Sequence, residues 1–255
     1  MPPARRLQAL RQHPELVTQR DDLSVEICTL FNLTDSPHLA LEILEKRNFQ
    51  PWEGGEGMAL GQYVLTHLNL GRAALRLGDA PTALLHFEQT FRLPASLGEA
   101  RHLLANQSEV QYWLGTALQA LGRASEAKNY WKQAADFRGD FQDMSLRAYS
   151  EMTYYSALSM GALGRKKAAE KLLSDLLGYA KNLAATEPKI DYFATSLPTM
   201  LIFNEDLQKR QKITAQFLEA QALLGLDQRA KARRLLKAIL ARDPAHAKAA
   251  DLMNS

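Results

Sequence analysis

A single cysteine, Cys28, excludes an internal disulfide framework and fits a reducing compartment. Long apolar runs are equally scarce. The most apolar stretch, Leu197 to Phe203, is far shorter than the roughly 20 residues a membrane-spanning helix needs. Met1 to Leu10 carries Arg5 and Arg6 with no apolar segment behind them, unlike a secretory leader. Runs of Val, Ile and Thr are absent, whereas Ala, Leu, Gln, Glu, Lys and Arg abound, which favours helices over strands. The expectation is an all-α, soluble, cytoplasmic chain with no membrane partner.

Catalytic motifs are missing as well. The sequence holds no Gly-x-Ser-x-Gly elbow, His-Glu-x-x-His helix, Cys-x-x-Cys pair or Gly-Lys-Ser/Thr loop. His13, His38, His67, His86, His102 and His246 lie singly, none with a second His or a Cys at ligand spacing, and read as surface or packing residues. Cys28 falls on the apolar face of an early helix and reads as a buried, inert thiol. No catalytic residue, cofactor or metal is expected, and the chain reads as a non-enzyme. The net charge of +3 gives no strong bias towards nucleic acid. The densest basic cluster, Arg229, Lys231, Arg233, Arg234 and Lys237, reads as the solvated face of a helix.

What the chain does contain is a repeat. Val110, Leu114, Ala117, Leu118 and Leu121 line one face of a helix that Gly122 ends. Ala127, Tyr130, Trp131, Ala134 and Ala135 line the next. The same hairpin recurs with Leu70 and Gly71, then Gly78, then Ala83 and Phe87. It returns with Tyr154, Tyr155 and Met160, then Gly164, Ala169 and Leu173. Fainter copies carry Phe31, Ala40 and Leu44, and then Leu223, Leu224, Ala232 and Leu236 before Asp243-Pro244. The small residue of each second helix, at Ala40, Ala83, Ala127, Ala169 and Ala232, advances by 43, 44, 42 and 63 residues. A near-constant step marks a stacked array, and alanine is needed where two helices approach closely.

Trp113-Leu114-Gly115, followed by Ala127, Trp131 and Ala134, resembles the tetratricopeptide-repeat consensus, although the step exceeds that family's typical length of about 34 residues. The resemblance implies a right-handed superhelical solenoid of about five hairpins, near 21–50, 58–94, 107–138, 147–182 and 212–244, within one domain spanning 1–255, with an insert at 185–207. A narrower resemblance rests on Arg20-Asp21-Asp22-Leu23, Pro51-Trp52-Glu53-Gly54-Gly55-Glu56-Gly57, Leu97-Gly98-Glu99 and Ile190-Asp191-Tyr192-Phe193-Ala194-Thr195-Ser196-Leu197-Pro198. Together these are similar to the C-terminal repeat region of large bacterial proteins of uncharacterised function. There the repeats follow a β-sandwich resembling sugar-mutarotase and glycosidase domains. Ala100 stands where that family has a further glycine.

Tetratricopeptide repeats hold peptides or folded partners on a concave wall of first helices. Carried over by position, the wall comprises Asp22, Asn32, Arg72, Glu109, Tyr112, Thr116, Gln119, Glu151 and Tyr154. Two loops add candidates. The glycine-rich segment 51–57 reads either as a rigid connection, with Trp52 packed beneath it and Glu56 favouring the following helix N-terminus, or as a binding lip offering Glu53 and Glu56. The insert, with Asp191 and Tyr192, reads either as a plug across the core or as a docking element, and Asp191, Glu205 and Asp206 are candidates to gather a cation. The expected function is a protein–protein interaction scaffold. The alternative is an accessory module beside a carbohydrate-acting domain, with Trp52, Tyr112 and Tyr192 stacking on sugars.

Overall fold

The structure, a computed structural model, describes residues 1–52, 54–142, 145–188 and 206–253. Among the described residues there are thirteen α-helices and one short hairpin of strands. The helices are α1 (Pro3–Arg11), α2 (Pro14–Gln19), α3 (Asp21–Leu33), α4 (Pro37–Lys46), α5 (Met58–Arg76), α6 (Ala80–Gln89) and α7 (Ser108–Ala120). They continue as α8 (Ala124–Asp136), α9 (Met152–Ala162), α10 (Lys166–Ala185), α11 (Leu207–Gly225), α12 (Arg229–Arg242) and α13 (Ala247–Met253). Strands β1 (Asp140–Gln142) and β2 (Ser145–Arg147) pair antiparallel, with Asp140 opposite Arg147. The all-α array of helix hairpins is what the spacing implied. The strands and the flanking helices α1, α2 and α13 lie outside the repeat pattern and were not legible in it.

Each hairpin turns on one residue in the left-handed region: Asp35, Gly78, Gly122, Gly164 and Asp227, with φ of 52°, 80°, 75°, 78° and 58°. A Cβ is disfavoured there, which explains the three glycines, and aspartate tolerates the conformation better than most residues. The next backbone N–H reaches back to the helix end in at least four of these turns. Ser36 N donates to Phe31 O, Asp79 N to Ala74 O, Arg165 N to Met160 O and Gln228 N to Leu223 O, at 2.8–2.9 Å. This is the Schellman closure of a helix C-terminus. Five positions further on stands the alanine of each repeat, fully covered in four cases and 8% exposed at Ala169. Four positions beyond it comes a buried large side chain: Leu44, Phe87, Trp131, Leu173 and Leu236.

The close approach is explicit in two repeats. A Cβ placed on Gly71 would sit 2.4 Å from the Phe87 ring, and one on Gly115 would sit 2.4 Å from the Trp131 ring. Both pairs follow the same register, 44 residues apart.

The chain divides into two compact units, one of residues 1–102 and 117–122 and the other of residues 103–116 and 123–255. Within the first, α3 packs on α4 and α5, α4 on α5, and α5 on α6. Helices α1 and α2 cover α3, with Leu7 and Val17 buried in its core and an Arg6–Glu26 ion pair beside them. Within the second, α8 packs on α9, α9 on α10 and α11, α10 on α11, and α12 on both α11 and α13. No described helix is long and apolar enough to cross a membrane.

Candidate functional site

In the first unit, three of the quoted sequence strings converge on one segment. Asp21 accepts from Arg47 Nε (2.5 Å) and from the backbone N–H of Gln50 (2.9 Å). Phe49 N donates to Ser96 O at 2.7 Å, and Gly98 is glycine because a Cβ would lie 2.5 Å from Phe49 O. Glu99 then grips the start of α5, accepting from Gly57 N (2.5 Å) and Leu60 N (2.8 Å). One of the two sequence readings of the loop gave that helix N-terminus to Glu56. Glu56 instead folds back onto its own loop and accepts from Gly54 N at 2.9 Å. The correction has a physical reason. The turn of 54–57, with Gly54 and Gly57 at positive φ, carries Glu56 away from the open N–H groups, and Glu99 arrives from 42 residues on. Trp52 does lie beneath the loop, its ring filling the space where Gly55 would carry a Cβ. Glu53 falls outside the described residues.

Two of the proposed wall positions of this unit, Asn32 and Arg72, belong to a polar ladder between α3 and α5. Asn32 Nδ2 donates to Gln62 Oε1 (3.0 Å) and Thr66 Oγ1 (2.9 Å), and Asn69 Nδ2 donates to Asn32 Oδ1 (3.1 Å). Arg72, only 6% exposed, donates from Nη2 to Asn69 Oδ1 at 2.7 Å. Asp22 is paired with Arg20 (2.6 Å) and accepts from Leu23 N, which holds its carboxyl below the usual range. Gln119 is exposed. Asn32, Asn69 and Arg72 are thus bonded to one another.

His67 and His86, expected to lie singly, meet here through Nδ1···Nδ1 at 3.1 Å. They are 19 residues apart, and the α5/α6 hairpin closes that distance. Burial, and then the neighbouring ring, lower the His67 pKa to about 4, and burial lowers that of His86. Among the described residues no group of three or more His, Cys, Asp or Glu side chains is placed to hold a metal ion. Cys28 is fully covered, and burial pushes its thiol up to about 12.

The second unit gathers more. Asn106 accepts from Ser108 N (2.9 Å) at the start of α7 and donates from Nδ2 to Gly139 O, while its own N–H donates to Asp140 Oδ1 at 3.0 Å. This fixes Asp140, at the first position of β1, beside the N-terminal end of α7. Buried Ser156 of α9 donates to Ser108 Oγ at 3.0 Å, tying the two first helices together. Glu151 precedes α9, held by a reciprocal cap in which Ser150 N donates to Thr153 Oγ1 and Met152 N to Ser150 Oγ.

Around this frame stand five of the residues proposed for the wall: Glu109, Tyr112 and Thr116 on α7, and Glu151 and Tyr154 next to and on α9. Tyr112 and Tyr154 each lie against Tyr155, with ring centroids at 6.0 and 5.3 Å. The Tyr112 carbonyl accepts from Trp131 Nε1 and Thr116 Oγ1. Burial, then the nearby Tyr112, raises Tyr154 to about 12 despite Arg229, so the phenol stays protonated. Glu109 is 8% exposed and Asp140 5%.

Lys248, from the unforeseen helix α13, reaches this corner and ion-pairs with Glu151 Oε1. Burial disfavours its charge, but the carboxylates of Glu151, Glu109 and Asp140 outweigh that and raise its pKa. Gln221 of α11, 1% exposed, donates from Nε2 to the Glu151 carbonyl (3.2 Å), and its Oε1 is buried with no hydrogen-bond partner among the described residues.

Asp206 caps α11 by accepting from Lys209 N at 2.9 Å. Asp191, Tyr192 and Glu205 lie outside the described residues. On α12, Arg229, Lys231, Arg233, Arg234 and Lys237 are all exposed. Arg229 pairs with Asp227 at 3.2 Å, and Lys231 donates to Gln228 at 2.8 Å.

No protein-family model matches the chain. A crystal structure described as a Podosopora anserina putative kinesin light chain with nearly identical TPR-like repeats is 20% identical in sequence. The match covers 92% of this chain and 97% of that one, with a TM-score of 0.36.

Proposed function

We propose that this chain is a tetratricopeptide-like, non-catalytic interaction scaffold of the cytoplasm. Its contact face is the acid-and-tyrosine corner of the second unit, built by Glu109, Tyr112, Glu151 and Tyr154, and its partner is a protein or peptide. One observation supports this most: candidate wall positions from two repeats, Tyr112 and Tyr154, come together there against Tyr155. Half-buried tyrosines beside acids suit a polar, extended segment, because each ring offers apolar area and a hydroxyl at small entropic cost. Placed next to a carbohydrate-acting domain, the same face would serve the accessory role. Direct sugar stacking is less favoured, since the Trp52 ring is covered by Gly55.

The test is affinity capture from native extract with the wild-type chain and with a Tyr112→Ala, Glu151→Gln chain, followed by titration of the purified partner. A dissociation constant weakened tenfold or more in the variant supports the assignment. A partner bound equally by both chains places the contact elsewhere and sinks it.

A further inference from the structure

We propose that the exposed face of α12 is a second docking surface, separate from the tyrosine corner, and that it fits an acidic helical segment of a partner protein with carboxylates at every fourth residue.

Charge is unevenly spread along the chain. Residues 206–253 hold ten Lys and Arg against five Asp and Glu, whereas the whole chain is only +3. Helix α12 carries Arg229, Lys231, Arg233, Arg234, Lys237 and Arg242 and not one carboxylate in its 14 residues. This is costly for a helix in two ways. Arg229, Arg233 and Lys237 follow one another at four-residue intervals, so like charges meet along one line of the surface. The first turn holds two bases and no acid, which opposes the helix dipole. Among the described residues, Arg233, Arg234 and Lys237 are exposed and form no ion pair. Arg229 has only Asp227, in a pair whose side chains are 77% and 87% exposed, so a partner's carboxylate can exchange with it readily. A partner that brings negative charge relieves this surplus.

The rest of the helix selects the class of partner. It has no aromatic side chain on which bases could stack. Leu235, Leu236, Ile239 and Leu240 all pack into the core shared with α11 and α13, which leaves no large apolar side chain to insert into a bilayer. An acidic protein segment needs only charge and register. Four residues of an α-helix advance about 6 Å, so a facing helix with Glu at the same interval meets the Arg229, Arg233 and Lys237 line in step. A strand presents same-face residues roughly 6.6–6.8 Å apart and drifts out of step. The two guanidinium groups of that line can each grip a carboxylate with paired N–H donors.

The experiment uses the full chain, as wild type and as Arg233→Gln, Lys237→Gln. Three end-capped, alanine-rich helical peptides carrying a neutral fluorophore are titrated and read by anisotropy. One has Glu at three positions four apart, the second has the same residues with the Glu positions scrambled, and the third has Gln for Glu. The in-register peptide should bind the wild type roughly fivefold or more tightly than it binds the variant, and more tightly than the scrambled peptide binds the wild type. The Gln peptide should not bind. Equal affinity for both chains, or for the first two peptides, overturns the proposal. So does tighter binding of the wild type to single-stranded oligodeoxythymidylate or to phosphatidylserine vesicles. Circular dichroism of the variant should match the wild type, since both substitutions are on exposed side chains. The Tyr112→Ala, Glu151→Gln chain should bind the in-register peptide as the wild type does, and loss of binding there would move the acidic site to the corner and refute this one.

Discussion

His67 and His86 share one polar contact inside the α5/α6 hairpin, Nδ1 to Nδ1 at 3.1 Å, and His67 is only 2% exposed. Both rings are held neutral, because burial lowers both pKa values, that of His67 to about 4. In the unfolded chain each titrates near 6.5. Below that pH the unfolded state binds more protons than the folded one. Their contribution to stability is therefore intact above pH ~6.5 and declines as pH falls towards 4. For His67 the full loss is about 3 kcal/mol. Urea unfolding followed by circular dichroism at pH 7.5, 6 and 5 should show the decline, and a His67→Gln chain should show a shallower one. An identical slope in both chains would assign it to other groups.

Gly71→Ala and Gly115→Ala should each cost about 2 kcal/mol, because the new methyl meets an aromatic ring already wedged beneath the opposite helix. Gly61, on the same helix as Gly71, has nothing within 4 Å of its would-be Cβ. Gly61→Ala should instead add roughly 0.5–1 kcal/mol through helix propensity. Thermal unfolding of the three chains checks the opposite signs.

Glu99→Ala should lower stability by about 1 kcal/mol, since two N–H groups at the start of α5 lose their acceptor. Glu56→Ala should cost less, having one N–H at an exposed loop to satisfy. Reversal of that order in chemical denaturation would return the cap to Glu56.

Cys28 should resist a thiol reagent at pH 8 in the native chain and react at once in denaturant, since the thiolate is the reactive form and is strongly disfavoured by burial. Fast native labelling would show the first unit opening locally.

Much of the fold was legible because close packing leaves a mark at fixed intervals. Among the described residues the alanine ruler marked the five pairs α3/α4, α5/α6, α7/α8, α9/α10 and α11/α12, and Gly78, Gly122 and Gly164 announced three of the turns. Asp35 and Asp227 did not, because an aspartate in the left-handed region looks like any surface aspartate. The α7 and α9 positions proposed for the wall were nameable only through the tetratricopeptide resemblance. Their partners were not: Asp140 comes from a strand, Lys248 from 97 residues beyond Glu151, and Glu99 from 42 beyond Gly57. Periodicity within a helix says which face is inward, but not which distant side chain arrives to meet it. The histidine pair was missed for the same reason.

The distance from turn residue to covered alanine is five in every hairpin, while the interval between successive hairpins ranges from 42 to 63 residues. Length is thus tightly set at the corner inside a hairpin and loosely set in the connection that follows it. Related chains should differ by insertions and deletions after the second helix of a pair. An added residue between Gly122 and Ala127, by contrast, would rotate α8 by about 100° and turn Trp131 away from Gly115.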